Sequence, residues 1–145
     1  MSKVDEAISS FRDGFNCSQA VFSTYCEELG FNRYDALKIG SAFGAGMAYN
    51  GETCGAVTGA LMLIGLKYGR TKIDDTEAKE KTYALAQEFV KRFKAKYGSI
   101  CCKDLLEFDI STPEGLKKAR AEGVFRTVCP RYVKISSQII EEILF

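Results

Sequence analysis

Cys54-Gly55-Ala56-Val57-Thr58-Gly59-Ala60-Leu61-Met62-Leu63-Ile64-Gly65-Leu66-Lys67-Tyr68 is the stretch on which the fold turns. Its apolar residues neither alternate nor keep to one stripe; they cover nearly every side of a helix, the pattern of a helix buried all round. The apolar run from Gly55 to Leu66 is 12 residues long, against about 20 needed to cross a bilayer. The stretch therefore predicts a central core helix over 54–68 and no membrane insertion.

Helical periodicity continues in both directions. Upstream, Val4, Ala7, Ile8 and Phe11 fall on one face until Gly14, and Asn16 with Gln19 has the spacing of a capping box for a second helix running to Gly30. A third starts after Asn32 and carries Ala36, Leu37, Ile39 and Phe43 up to the glycines Gly44 and Gly46. Downstream, the longest helix runs from the Asp74-Asp75-Thr76-Glu77 cap to Gly98, and a short turn comes after it at Cys101–Leu106. Thr112-Pro113-Glu114 opens a basic helix ending near Gly123, and Cys129-Pro130 opens the last one. No alternating, β-branched run competes. The expected fold is all-α: a single-domain helical bundle over 1–145, with about five main helices, short connections and no sheet.

Composition narrows the chemistry. The chain has 145 residues, 46% hydrophobic and 27% charged, the values of an ordinary globular domain. Lys+Arg 20 against Asp+Glu 19 leaves no basic excess for nucleic acid. There is no His, which removes Ser-His and Cys-His nucleophile pairs and every His-ligated metal site. The N-terminal segment has no secretory pattern, so a cytoplasmic location is expected. In that compartment six Cys are not a disulfide framework but catalytic, metal-binding or buried residues.

Where the thiols stand is informative. Cys17 follows the Asn16 cap, Cys54 follows Thr53, Cys101 and Cys102 follow Ser99, and Cys129 stands before Pro130. All are predicted helix starts, where free N–H groups and a positive partial charge favour a thiolate and lower a thiol into the range of about 3.5–7.5. Core packing alone concentrates Cys in helix middles, as at Cys26 between Tyr25 and Glu27, which is assigned an inert role. One of the adjacent pair Cys101-Cys102 is expected to face a site while the other packs. Gly55 and Gly59 form a GxxxG face, read as a close helix approach and as space beside Cys54. Gly40–Gly46 has the glycines of a phosphate loop without its GK[ST] ending or a preceding strand. Arg126 and Arg131, which flank Cys129, are candidates to sit beside a thiolate.

Four motifs in order carry a family resemblance: Asn16-Cys17-Ser18-Gln19-Ala20-Val21, Cys54-Gly55-Ala56-Val57-Thr58-Gly59, Cys102-Lys103-Asp104-Leu105-Leu106, and Cys129-Pro130. The chain resembles the C_GCAxxG_C_C family of redox-active proteins, named for its cysteine pattern. Cys26 and Cys101 fall outside that pattern. The resemblance implies a redox role and names no substrate.

Three function classes are compatible with these residues. In the leading one, Cys17, Cys54, Cys102 and Cys129 form one cluster in a thiol–disulfide redox protein. Cys54 attacks, another first-turn Cys resolves, no cofactor is required, and electrons pass to a redox partner or a small thiol. An oxidoreductase activity is compatible with this, as are a monomer and a homodimer. In the second, the same four thiolates hold zinc or an iron–sulfur cluster; the intervals of 37, 48 and 27 residues lack the CxxC pairs usual in structural zinc sites. In the third, the protein is a helical binding module and its cysteines are structural packing.

Overall fold

Helix starts in this chain are fixed by capping side chains, and these locate the elements. The structure is a computed structural model describing residues 1–145. Ser2 and Asp5 close a capping box on α1 (Lys3–Arg12). Asn16 and Gln19 do the same for α2 (Cys17–Tyr25): Asn16 Oδ1 accepts from the Gln19 N–H at 2.9 Å, and Gln19 Oε1 accepts from the Asn16 N–H at 3.0 Å. Their amide groups also reach the end of α3 (Arg33–Gly40), Asn16 donating to the Gly40 and Ser41 carbonyls and Gln19 to Leu37. One motif thus starts one helix and ties down the end of another.

Two boundaries near here differ from the sequence expectation. The second helix stops at Tyr25, a short 3-10 turn over Glu27–Leu29 carries the chain to Gly30, and Cys26 is therefore a helix end and not a helix middle. The third helix ends at Gly40, before Phe43. Beyond it lies α4 (Gly44–Met47), where the backbone turns left-handed: Ala45, Gly46, Met47, Ala48 and Tyr49 have consecutive φ values of 55, 64, 68, 55 and 66°. L-residues pay about 1–2 kcal/mol each for this conformation. Position 46 has to be glycine, because a Cβ there would stand 2.7 Å from the Cys102 Cβ. Outside it, the Tyr49 ring meets Phe125 edge-on at 6.5 Å, and the Arg120 guanidinium lies 5.5 Å from the Tyr49 ring.

The core segment forms α5 (Gly55–Tyr68), with Cys54 itself as the cap. It packs against α2, α6 (Thr76–Tyr97) and α10 (Cys129–Leu144), while α10 also covers α1 and α2. These five helices carry the bundle around one apolar cluster of 28 buried residues. The approach of α5 to α2 depends on the GxxxG face, since a Cβ at residue 59 would stand 2.8 Å from the Ser18 carbonyl oxygen. Short helices α7 (Cys102–Leu106), α8 (Pro113–Ala121) and α9 (Val124–Thr127) connect α6 to α10. No strand forms. Residues 51–54 do lie antiparallel to 100–103: Cys54 N–H donates to the Ile100 carbonyl at 2.7 Å, Cys102 N–H donates to Glu52 at 2.6 Å, and Thr53 and Cys101 form an isolated bridge. No helix is long and apolar enough to cross a membrane.

Candidate functional site

Cys17, Cys102 and Cys129 are each the first residue of a helix, and Cys54 is the cap of a fourth. The bundle turns these four helix starts toward one place. All four thiols line a single cavity of about 750 Å³, a size usual for small-molecule sites. Each is nearly buried, at 7, 4, 7 and 5% exposure for Cys17, Cys54, Cys102 and Cys129. Cys17 and Cys129, on α2 and α10, are neighbours in this cavity, close enough for Cys129 to raise the Cys17 thiol. The backbone pairing of 51–54 with 100–103 brings the start of α5 beside the start of α7, and with it Cys54 beside Cys102.

The remaining two cysteines stay out. Cys26 is fully buried and its thiol faces the Ser23 carbonyl at 3.5 Å. Cys101 donates its thiol to the Gly51 carbonyl at 3.2 Å and does not line the cavity, so Cys102 is the member of the adjacent pair that faces it.

The electrostatics reverse one expectation. A helix start by itself lowers a thiol, and the N–H groups of Ala56 and Val57 do favour a Cys54 thiolate. Burial outweighs them, with the neighbouring Cys17 adding to it, and Cys54 is pushed far above the usual thiol value. Cys102 is raised by burial and then by Cys54 and Cys17; Cys17 is raised by the neighbouring Cys129 and by burial. Desolvation penalises the charged form, and a second thiolate beside a first is penalised again. Cys17, Cys54 and Cys102 therefore hold their protons.

Several lining residues carry no cysteine signal. Tyr132, one turn beyond Cys129 on α10, donates its hydroxyl to the Leu105 carbonyl at 2.7 Å. Burial, with Cys129 and Cys54 nearby, pushes its phenol up to about 12. Its three-residue spacing from Cys129 would have placed it on the same helix face. The left-handed segment supplies Ala45, Gly46, Ala48 and Tyr49, and Arg12 enters from the end of α1. Of the two arginines flanking Cys129, Arg126 lines the cavity. Arg131 does not; it faces the adjoining groove, because two positions along α10 turn a side chain by about 200°. For the metal expectation at Cys17, Cys54, Cys102 and Cys129, no three Cys, Asp or Glu side chains gather closely enough to hold an ion.

A family model described as "Putative redox-active protein (C_GCAxxG_C_C)" matches residues 15–143. The pattern in that description runs Gly-Cys-Ala where this chain runs Cys54-Gly55-Ala56. No curated protein and no solved structure matches the chain. The match spans all four cavity thiols and nearly the whole bundle, and the chain belongs to this redox-active family.

Proposed function

We propose that the chain is a dithiol redox protein in which Cys17 and Cys129 make and break a disulfide, with Cys54 and Cys102 as neighbouring thiols in the same cavity. The observation that carries this reading is that Cys17 and Cys129, the first residues of α2 and α10, are neighbours among the buried thiols of one cavity. Cys17 keeps its proton, raised by the neighbouring Cys129 and by burial, and so is the resolving thiol. Cys129 is taken as the attacking sulfur: it opens α10 and lines the cavity together with Arg126. Cys54 passes from expected attacker to neighbour, because burial disfavours its thiolate.

With a small disulfide RS–SR as oxidant, the Cys129 thiolate attacks one sulfur. A Cys129–SR bond forms, the S–S bond of RS–SR breaks, and RS⁻ leaves and takes up a proton. Cys17 then gives up its proton and attacks the Cys129 sulfur, expelling the second RS⁻, which that proton neutralises. Two thiols and one RS–SR become one protein disulfide and two RSH. With excess RSH the sequence runs backwards.

The test is reaction with hydroxyethyl disulfide and then peptide mapping. The wild type should release two thiols per chain and yield a Cys17–Cys129 bridge. Cys17→Ser should release one thiol and stop at a mixed disulfide on Cys129. A mixed disulfide trapped on Cys54 instead, or no reaction at any of the four thiols, overturns the reading.

A further inference from the structure

The cavity carries charge of one sign only. Among its lining residues the charged side chains are Arg12 and Arg126; no carboxylate and no lysine borders it. Both arginines are exposed, whereas the four thiols are buried, so the guanidiniums stand at the entrance and the sulfurs at the inner end. Neither arginine has an ion-pair partner within the molecule: the four ion pairs involve Lys3 and Arg92. Both also border a second groove, between α1 and the start of α10, which adds Arg131 and Lys134. The one carboxylate there, Asp5, is engaged by the Ser2 hydroxyl and backbone N–H as the cap of α1. In a chain of net charge +1 this is a local concentration of four cations around one opening. The lining also includes the aromatic side chains Phe11, Phe15, Tyr49 and Phe125.

We infer that the cavity takes a low-molecular-weight disulfide or thiol bearing an anionic head group, with the head on Arg12 and Arg126 and the sulfur directed to Cys129. This rests on the dithiol reading for the sulfur end and goes beyond it in naming the charge of the substrate. Two unpaired guanidiniums at the rim of a concave site raise the local concentration of anions and lower that of cations. They also offer planar, bidentate contacts suited to carboxylate and phosphate oxygens. The apolar wall covers the uncharged stem of the ligand. A redox protein that reads charge in this way disfavours cationic and uncharged disulfides of equal intrinsic reactivity.

The experiment compares initial rates of the reduced protein with glutathione disulfide, hydroxyethyl disulfide and cystamine at low ionic strength. Coenzyme A disulfide is run beside glutathione disulfide to separate a phosphate head from a carboxylate one. The expected order is anionic, then neutral, then cationic, with an anionic-to-neutral ratio of roughly ten-fold that fades as salt is added. In the Arg12→Gln/Arg126→Gln double variant that ratio should collapse towards one. Equal rates in the wild type, a preference for cystamine, or a ratio unchanged in the double variant would overturn the inference. A second arm titrates S-methylglutathione, which carries the charge but cannot exchange. It should bind the wild type roughly ten-fold more tightly than the double variant. That arm decides the anion site even if no disulfide reacts, an outcome that would count against the dithiol reading alone. Equal binding to both proteins sinks the anion site whatever the thiols do.

Discussion

A thiol at a helix start feels two opposed effects, and here burial decides. At Cys54 the N–H groups of Ala56 and Val57 pull towards the thiolate, while loss of water and the neighbouring Cys17 push harder the other way. The consequence for stability has a definite sign. A thiol raised in the folded state keeps its proton while its unfolded counterpart loses it above the usual value of 9.0, so folding stability is intact below that pH and declines as pH climbs past it. Thermal unfolding from pH 7 to 11 should show a flat melting temperature and then a fall beginning near pH 9. Cys54→Ser, which removes one raised thiol and leaves a hydroxyl able to cap α5, should show a shallower fall. An equally steep fall in that variant would mean Cys54 is not held neutral. The helix-start positions of the four thiols were legible in the sequence, because capping residues and proline are local signals. Their charge state was not. It depends on which distant sulfurs share a cavity, and Cys17 and Cys129 are 112 positions apart.

Between α2 and α5 the fit is made by absent atoms. Gly59→Ala would gain about 1 kcal/mol of helix propensity, yet its methyl group would meet backbone of α2, which cannot swing aside as a side chain could. Overpacking of this kind costs about 1–3 kcal/mol, so a net loss in denaturant unfolding is expected. Gly65→Ala, in the same helix with nothing within 4 Å of its added methyl, should instead stabilise by up to about 1 kcal/mol. The same sign for both would refute the close-packing account. The left-handed segment permits a converse test. Ala48 has φ 55° and is exposed, so Ala48→Gly should relieve about 1 kcal/mol, read as a higher denaturant midpoint. The sequence offered Gly44 and Gly46 only as the loosening of a helix. That Ala45, Met47, Ala48 and Tyr49 would join Gly46 in left-handed backbone was illegible, because the contacts around the segment come from Cys102, Phe125 and Arg120, far along the chain.

At the scale of the molecule, the all-α bundle around residues 54–68 could be read from periodicity and caps, since those patterns repeat in every long helix. Convergence of four helix starts on one cavity could not be derived from spacing, because intervals of 37, 48 and 27 residues fix no distance in space. A Cys17–Cys129 disulfide would join α2 to the last helix and enclose most of the chain. Loop closure over about 100 residues stabilises by up to about 4.7 kcal/mol through the unfolded state. The oxidised protein should accordingly melt on the order of 10 °C above the reduced one. Cys17→Ser should melt at one temperature in either buffer, and no rise on oxidation of the wild type would argue that this pair does not bridge.

That cavity also sets a schedule for synthesis. Cys17 emerges first and Cys129 last, so at about 5–20 residues per second the thiols of a nascent chain wait on the order of ten seconds for the fourth. Through that interval α10 is absent. The wall it gives to α1, α2, α5 and α6 is open, and three of the sulfurs that the finished protein hides are exposed to oxidants and to other ribosome-bound chains. The helix that begins at Cys129 is therefore the one that encloses the other three thiols, and a stall before residue 129 would leave them unguarded.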